Sequence, residues 1–430
     1  MDRLDLTHRE LIVNKITARS GTFTDNMKLP VHRWFRYSAG FSAEWVKSEI
    51  VRFENETGLE AKILDPFVGS GTTSFAACSL HRESYGFDGH PFVARIARAK
   101  NLWHLDSKEF ENACNAVLEK ANRSRKSTTR HDESSLLGKC YDIEALTNLD
   151  KLRFAYEALA DENPVWELVR LNITSILRAC SKAGTAQWQY VLPKKSKSKV
   201  LGVNEAFLGK AALMIHDMDT VKADGWKNIA QISELDVREK ISAEKCNLLI
   251  TSPPYPNNYD YADATRLEMM FWGEISGWSD LKTAIRPTLM RSCSQHSASD
   301  KVILDEILEE PLLQPIISEL TLVTRELEKV RLTKGGKKTY HTMIAAYFLD
   351  LAKVWENSRK IMSDNSRICF VIGDSAPYGV HVPAERWLGE LALASGFKSF
   401  EFEWLRDRNV KWKNRTHTVL LHEGRLWLKG

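Results

Sequence analysis

The chain has 430 residues, of which 43% are hydrophobic and 27% charged, with a formal net charge of +4. These values are typical of a globular protein with a sizeable core and argue against a disordered or membrane chain. Seven scattered cysteines without a Cys-x-x-Cys pair favour reduced thiols over disulfides or a zinc site, so no metal is predicted.

A βαβ unit is predicted in the first quarter of the chain. A helix-like segment at residues 42–53 leads into a short apolar strand, AKIL, and then a glycine-rich turn. A helical segment, TTSFAACSL, and a second strand, ESYGFD, follow. Such units have parallel strands joined by a right-handed crossover, so the sequence predicts an α/β fold.

Mainly helical segments interrupt the predicted sheet twice. Residues 103–225 have helical patterns separated by two basic segments, RSRKSTTRH and PKKSKSK, which are predicted as loops. Strand-like segments return at IAQISEL and CNLLIT, and a second helical region covers about 262–363. The strand SRICFVIGDS and the helix AERWLGELALASG follow. The last segment, HTVLLHEGRLWLKG, is predicted as two strands that turn at Glu423-Gly424.

The N-terminus has no signal-peptide pattern, and no run of about 18 apolar residues occurs in the chain. We therefore expect a cytoplasmic protein with no membrane partner.

The first chemical motif is DPFVGSGTT, residues 65–73, between the first strand and its helix. Glycines at the carboxyl edge of a sheet let the backbone approach a ligand closely. A triphosphate loop needs a lysine before its last Ser/Thr and a dinucleotide fingerprint needs a third glycine, and neither is present. Asp88, which ends the second strand, can accept hydrogen bonds from ribose hydroxyls. The pattern favours an adenosine ligand without pyrophosphate; a structural glycine turn is the alternative.

The second motif is Ser252-Pro253-Pro254-Tyr255, which ends the predicted strand CNLLIT. Prolines have no N–H, and their carbonyl groups remain acceptors beside a hydroxyl and an aromatic ring. The exocyclic amino group of a nucleobase needs such acceptors, and a base stacked on Tyr255 would gain about 1–3 kcal/mol. An ordinary turn or a proline-rich ligand of another domain is the alternative, although no further proline-rich sequence accompanies the motif.

Together the two motifs resemble those of the S-adenosylmethionine-dependent DNA amino-methyltransferases. The resemblance implies a Rossmann-like methyltransferase fold with a mostly parallel sheet, a C-terminal antiparallel hairpin and large helical insertions. It implies S-adenosyl-L-methionine as the cofactor. The catalytic residues it implies are Ser252, Pro253, Pro254 and Tyr255, with the first two holding the target amino group. The cofactor-binding residues it implies are Phe41, Asp65, Phe67, Gly69, Ser70, Gly71, Thr72, Thr73, Asp88 and Asp236.

Two of these assignments depend on shorter similarities. RYSAGFSAEWVKSEI is similar to the family's segment before the cofactor strand, which places Phe41 against the methionine, although the lysine often found nearby is absent. ISELDVREKI is similar to the strand end that meets the adenine, which makes Asp236 a candidate for its amino group. A helix N-cap is the alternative role for Asp236.

The resemblance covers roughly residues 30–100, 230–265 and 365–428 and says little about the two insertions, so the following division of the chain is a hypothesis. Residues 1–102 are the expected N-terminal segment and cofactor-binding half, and 226–430 the expected catalytic half. Residues 103–225 are the expected DNA-recognition insertion, with Lys194, Lys195, Lys197 and Lys199 on phosphates and Gln187–Tyr190 near a groove. Residues 406–415 are a second candidate surface, with a solvated strand connection as the alternative.

The predicted reaction is direct methyl transfer to the N4 amino group of a cytosine flipped out of double-stranded DNA. Ser252 favours cytosine because a serine at this position is typical of the cytosine-N4 enzymes. The cofactor motif precedes the catalytic motif here, which departs from the order common among serine-motif enzymes. Methylation of adenine N6 or of an RNA amino group, and a catalytically silent nucleic-acid-binding partner, are the alternatives. A cognate restriction or defence protein is a candidate partner, and monomer and dimer both stay open.

Overall fold

The computed structural model describes residues 23–37, 40–125, 132–185, 190–227, 230–335, 338–408 and 419–430. The α-helices, α1 to α16 in chain order, are Ala43–Thr57, Thr72–Ser79, Pro91–Lys100, Ser107–Arg123, Leu136–Cys140, Ile143–Glu157, Val165–Cys180, Val203–Ala223, Tyr261–Ala264, Arg266–Trp272, Leu281–Ala284, Ser294–Ser299, Leu304–Leu308, Ile317–Thr333, Tyr340–Ile361 and Ala384–Ala394. The strands, β1 to β9, are Ile63–Asp65, Ser84–Asp88, Ala183–Thr185, Val191–Ser196, Ala230–Glu234, Cys246–Thr251, Met362–Gly373, Ser399–Arg408 and Leu421–Lys429. The 3-10 segments are Phe23–Lys28, His32–Trp34, Asn101–His104, Trp278–Asp280, Arg286–Thr288, Pro311–Ile316 and Pro377–Gly379.

In the described residues, seven strands form one sheet in the order β5-β2-β1-β6-β7-β9-β8. The first five of these are parallel to their neighbours, and β9 runs antiparallel to both β7 and β8. The strand order reverses between β1 and β6, since β2 and β5 extend the sheet on one side and β7 on the other. The expected Rossmann-like methyltransferase fold, with a mostly parallel sheet and a C-terminal antiparallel hairpin, is confirmed.

Alternate residues of the central strands face opposite helical layers. Ile63, Leu248 and Ile250 pack with side chains of α1 and α2. Leu64 and Leu249 pack on the other face, with side chains of α15 and α16. A parallel strand covered on both faces reads as a continuous apolar run, which explains the sequences AKIL and CNLLIT.

The helices of residues 103–225 share a core with the rest of the protein. Val117 of α4 and Leu168 of α7 belong to the same buried cluster as Trp34, Phe92 and Phe271. In addition, Arg153 of α6 donates a hydrogen bond of 2.6 Å to the Phe271 carbonyl. The insertion therefore packs directly on its neighbours, and the division into three regions stays a prediction.

Two local predictions are wrong. Residues 193–196 of the basic segment PKKSKSK continue β4, which pairs antiparallel with β3 instead of forming a loop. The C-terminal segment is one strand, β9, and its hairpin partner is β8. Gly424 lies inside β9. A Cβ atom at this position would lie 2.3 Å from the Glu403 carbonyl oxygen, so the glycine allows the two strands to approach closely and does not form a turn. The basic residues 126–131 lie outside the described part of the chain.

No helix in the described ranges is long and apolar enough to cross a membrane. All seven cysteines are buried and none is in a disulfide.

Candidate functional site

A cleft lies at the carboxyl ends of the parallel strands, where the strand order reverses between β1 and β6. Its empty volume is about 810 Å³, the open mouth included. Open α/β sheets bind their ligands at this position, because the loops that follow neighbouring strands separate there. The residues predicted from the sequence that line the cleft are Phe41, Phe67, Gly69, Ser70, Thr72, Asp88, Asp236, Ser252 and Pro254.

The glycine-rich turn forms the floor of this cleft and leads directly into α2. Gly69 and Gly71 have φ angles of 54° and 92°, a backbone region that residues with side chains rarely adopt. A side chain at Gly71 would also meet the Phe75 ring at 2.2 Å. The Gly71 N–H donates to the Val68 carbonyl at 2.8 Å, which closes the turn. The glycines are thus required by the backbone and by the packing beneath it.

Asp88 is held at the end of β2 by two backbone hydrogen bonds. Its carboxylate accepts one from the Gly69 N–H, at 3.0 Å, and one from the His90 N–H, at 2.8 Å. Burial raises the pKa of Asp88 to about 6. At neutral pH this carboxylate is charged, faces the cleft and keeps lone pairs for further donors.

Three predicted cofactor residues, Asp65, Gly71 and Thr73, lie outside the cleft wall. Asp65 is 1% exposed and accepts hydrogen bonds from the Phe67 N–H, at 3.1 Å, and from the Thr251 hydroxyl, at 2.5 Å. Burial raises its pKa to about 6. Thr73 donates to the Ile250 carbonyl at 3.2 Å. Asp65 and Thr73 therefore join the ends of β1 and β6 beneath the cleft.

Asp236 lines the cleft but is already in an ion pair. Its two carboxylate oxygens accept hydrogen bonds from Arg238 at 2.9 and 2.6 Å, and it also accepts from the Arg238 N–H. Arg238 in turn contacts Asp350 at 3.2 Å. An adenine amino group would share the carboxylate with this arginine, and the assignment of Asp236 to adenine stays a prediction.

The Ser-Pro-Pro-Tyr motif follows β6 on the other side of the cleft. Ser252 donates its hydroxyl hydrogen to the Val371 carbonyl at 3.3 Å, which leaves the oxygen as an acceptor. The Pro254 carbonyl accepts from the Tyr347 hydroxyl at 2.9 Å. In the described part of the chain the Pro253 carbonyl has no hydrogen-bond donor. Pro253 and Tyr255 are not part of the cleft wall.

The Tyr255 ring is covered by a cation. The guanidinium carbon of Arg408, at the end of β8, lies 5.3 Å from the ring centroid. The same guanidinium donates to the Asp374 carbonyl at 2.9 Å. A base that stacks on this face of Tyr255 would have to displace Arg408. A base could otherwise stack only on the opposite face of the ring.

Several residues that line the cleft were not found by sequence reasoning, namely Tyr37, His90, Tyr261 and Met290. His90 is 2% exposed, bonds the Thr265 hydroxyl at 2.9 Å through Nε2, and is neutral because burial lowers its pKa to about 3. Its position two residues after Asp88 is a signal in the sequence, because the loop after β2 faces the cleft. Tyr261 and Met290 carry no comparable signal.

The predicted DNA-binding lysines divide into two groups. Lys194, Lys195 and Lys199 are exposed. Lys197 instead donates to the carbonyls of Arg178 and Ala179, at 2.5 and 3.0 Å, where α7 ends. Lys197 is thus held by the fold, whereas the other three lysines remain available to phosphates.

The two other predicted DNA surfaces are only partly described. Gln187 lies outside the described residues, as do residues 409–415 of the second candidate surface. Arg406, at the start of that surface, pairs with Glu423 at 2.8 Å.

An aromatic series connects the insertion with the cleft. The ring centroids of Tyr190 and Tyr259 are 5.2 Å apart, and those of Tyr259 and Tyr261 are 4.5 Å apart. The Tyr190 hydroxyl also accepts a hydrogen bond of 2.7 Å from the Asp260 N–H. Tyr190 immediately precedes β4, so the basic strand is attached to the segment that follows the Ser-Pro-Pro-Tyr motif.

Comparison with known proteins gives two kinds of similarity. A family profile described as "DNA methylase", of the N6_N4_Mtase group, matches residues 18–99. Curated relatives include the type II methyltransferases M.AvaI of Nostoc sp. (strain PCC 7120) and M.BsoBI of Geobacillus stearothermophilus, each 24% identical to this chain. The first alignment covers 87% of this chain and 81% of the relative, and the second covers 90% and 82%. The type II methyltransferase M.MvaI of Kocuria varians is 20% identical over 88% of this chain and 84% of its own. No solved structure matches the chain.

Proposed function

We propose that this chain belongs to the N6/N4 DNA methylase family and transfers a methyl group from S-adenosyl-L-methionine to the N4 amino group of cytosine in DNA. The observation that carries the proposal is the shared cleft of Asp88, the glycine-rich turn and Ser252. Cofactor and amino acceptor would therefore meet at one sheet edge, as direct transfer requires.

The cofactor fits the chemistry of the turn side of the cleft. Asp88 offers a charged carboxylate to the ribose hydroxyls, and Phe41 and Phe67 offer apolar contacts. The left-handed Gly69 brings backbone close to the ligand. S-adenosyl-L-methionine would supply an electrophilic methyl group on a sulfonium.

The amino acceptor is proposed to bind at Ser252. Because the Ser252 hydroxyl hydrogen is used by the Val371 carbonyl, its oxygen can accept from a base amino group. The Pro253 carbonyl is proposed as the second acceptor. The amino nitrogen then forms a bond to the methyl carbon, the bond from that carbon to sulfur breaks, and the nitrogen loses one proton to solvent. Positioning and local hydrogen bonds would provide most of the rate enhancement.

The DNA context is proposed from the relatives, whose names describe type II methyltransferases. We propose that this chain methylates a defined sequence in double-stranded DNA and that a cognate restriction or defence protein shares that sequence. Sequencing the DNA of cells that express the chain, with a readout of modified bases, should give one recurring context. Modified bases at random positions would contradict a sequence-specific role.

The target base is tested by product analysis. The protein is incubated with unmethylated DNA and S-adenosyl-L-methionine carrying a deuterated methyl group, and the DNA is digested to nucleosides for mass spectrometry. We expect labelled N4-methylcytosine. Labelled N6-methyladenine alone would contradict the cytosine assignment but not the proposed methyl transfer to DNA.

The role of Ser252 is tested with Ser252→Ala. Loss of an acceptor that acts in the transition state should lower kcat by about 100-fold, with less than about a twofold change in cofactor affinity by calorimetry. Ser48→Ala in α1, where the hydroxyl donates to the Trp45 carbonyl, is the matched control because Ser48 does not line the cleft. Equal losses of turnover and cofactor affinity would make Ser252 a cofactor ligand or a structural residue. A wild-type protein that releases no heat with the cofactor would indicate a catalytically silent DNA-binding partner.

A further inference from the structure

The glycine-rich turn has a buried cation behind it. Lys100, the last residue of α3, is 1% exposed. Its ammonium group donates to the Ser70 carbonyl at 2.8 Å and to the His32 carbonyl at 3.3 Å. It also lies 5.0 Å from the centroid of the Phe75 ring, the same ring that packs against Gly71. Lys100 is therefore in direct contact with the turn on the side away from the cleft.

The groups that contact this cation are uncharged, namely two backbone carbonyls and a phenyl ring. In the described residues no carboxylate lies within ion-pair distance of Lys100. The titratable groups that face it are the His32 ring, whose pKa burial lowers, and Lys210 of α8. The nearby Asp217 is occupied by Arg33. A buried charge without a counterion is costly, and burial together with Lys210 lowers the pKa of Lys100 to about 7.

Ser70 lies between this cation and the cleft. It lines the cleft, while its carbonyl group bonds to Lys100 behind the turn. The turn itself carries no lysine or arginine, because its sequence is Gly-Ser-Gly-Thr-Thr. A carboxylate bound against the turn would thus be separated from Lys100 by a single residue. The methionine portion of S-adenosyl-L-methionine carries such a carboxylate.

We propose that Lys100 is a positioning residue for the cofactor: it fixes the Ser70 carbonyl behind the turn, and its charge is the counterion of the cofactor carboxylate across the turn. This inference rests on the proposed use of S-adenosyl-L-methionine. It assigns to α3 the cation that the glycine motif lacks.

The test compares two ligands that differ in the carboxylate alone. Binding of S-adenosyl-L-methionine and of its decarboxylated form is measured by calorimetry at pH 6 for the wild type and for Lys100→Met. We expect the variant to lose about tenfold or more in affinity for the first ligand and less than about twofold for the second. Equal losses for both ligands would overturn the charge role and leave Lys100 with a purely structural one.

Lys210→Met provides a matched control and an independent measurement. Lys210 donates to the Arg33 carbonyl at 3.3 Å and does not touch the turn. Because the protonated Lys100 favours an anionic ligand and the charged Asp88 favours the ribose, wild-type affinity for S-adenosyl-L-methionine should be highest between about pH 6 and pH 7 and fall above about pH 7 as Lys100 loses its proton. Removing the Lys210 charge should move this midpoint to higher pH, with affinity at pH 6 retained. An unmoved midpoint would overturn the inference even if Lys100→Met does not fold. A wild-type protein that binds neither ligand would instead contradict the proposed function.

Discussion

Two carboxyl groups end the first two strands, the buried Asp65 and the partly exposed Asp88, and both are harder to ionise than a fully exposed aspartate. Asp65 is the clearer case for an experiment, because it lies outside the cleft wall and ligand binding would not obscure its titration. Its pKa is raised from 3.8 to about 6 by burial. The folded state therefore binds a proton at this residue that the unfolded state has already released between these two pH values.

Asp65→Asn should remove one pH-dependent contribution to stability. With a folded pKa above the unfolded one, the contribution of Asp65 is full below about pH 4 and is lost as pH rises to about 6, a change of about 3 kcal/mol. Relative to Asp65→Asn, the wild type should therefore lose about 3 kcal/mol in its free energy of unfolding as the pH rises from about 4 to about 6. Denaturant unfolding at several pH values measures it. The exposed Glu60→Gln is the control, and a constant difference for Asp65→Asn would contradict a shifted pKa.

Sequence reasoning at this scale succeeded where the relevant partner is local. The glycine turn and the Ser-Pro-Pro-Tyr motif contain most of their chemistry within a few residues, so their placement beside one cleft could be predicted. Lys197 and Asp236 show the limit. The carbonyls that hold Lys197 belong to residues 178 and 179, and the Asp236 pair depends on an arginine orientation that Asp350 helps to set. The carbonyl partners of Lys197 and the contact of Arg238 with Asp350 are distant in the sequence, so neither could be predicted from the neighbouring residues.

At the scale of elements, the C-terminal hairpin shows how a glycine can be misread. Glu423 and Gly424 have the composition of a turn, yet they pair with Arg406 and Trp404 of β8 inside the sheet. What decides the role of Gly424 is the close backbone of Glu403, which comes 21 residues earlier in the chain (424 − 403). Likewise, β4 contains proline and lysines, which are rare in strands, and its pairing with β3 overrides this preference.

Gly424→Ala should destabilise the hairpin. The added methyl group would lie 2.3 Å from the Glu403 carbonyl oxygen, so the strands must separate, and we expect a loss of about 2–3 kcal/mol in the free energy of unfolding. Gly209→Ala in α8 is the matched control, because nothing lies within 4 Å of its added atom. That substitution should stabilise the helix by about 0.5–1 kcal/mol. Thermal unfolding compares the two variants. An unchanged stability of Gly424→Ala would contradict the close contact between Gly424 and the Glu403 backbone.

Tyr190→Phe should weaken the link between the insertion and the segment that follows the Ser-Pro-Pro-Tyr motif. The ring contacts with Tyr259 remain, whereas the hydrogen bond to the Asp260 N–H is lost. Leaving that buried N–H without a partner costs about 1–3 kcal/mol. We expect kcat with DNA to fall about tenfold while cofactor affinity stays unchanged, as measured by steady-state kinetics and calorimetry. Tyr85→Phe, whose hydroxyl bonds Glu83 away from the cleft, is the control. Equal kinetics for the two variants would contradict an effect of the Tyr190 hydrogen bond on turnover.

At the scale of the whole molecule, the insertion has an exposed basic strand that is linked to the cleft through Tyr190 and Tyr259, and its predicted contribution to DNA binding can be measured. The combined variant Lys194→Ala, Lys195→Ala and Lys199→Ala should bind all DNA sequences more weakly. Each lost phosphate contact reduces the slope of log K against log salt by about 0.9, so the slope should decrease by up to about 3.

Lys197→Ala is the control for this measurement. Its ammonium is bound to α7, so its loss should lower the unfolding temperature and leave the salt slope nearly unchanged. Filter binding across salt concentrations gives the slopes. An unchanged slope in the triple variant would remove β4 from the DNA interface and direct attention to other basic surfaces.

The adjacency of β1 and β6 has a consequence for how the protein is made. The hydrogen bond between Asp65 and Thr251 joins residues 186 positions apart. A ribosome that adds about 5–20 residues each second needs about 10–40 s to synthesise that interval. Throughout it, one edge of the apolar strand β1 has no neighbour, and open strand edges promote association between chains. Slow translation of the insertion, or a stop codon within it, should therefore cause the nascent protein to aggregate and not only to lose its activity.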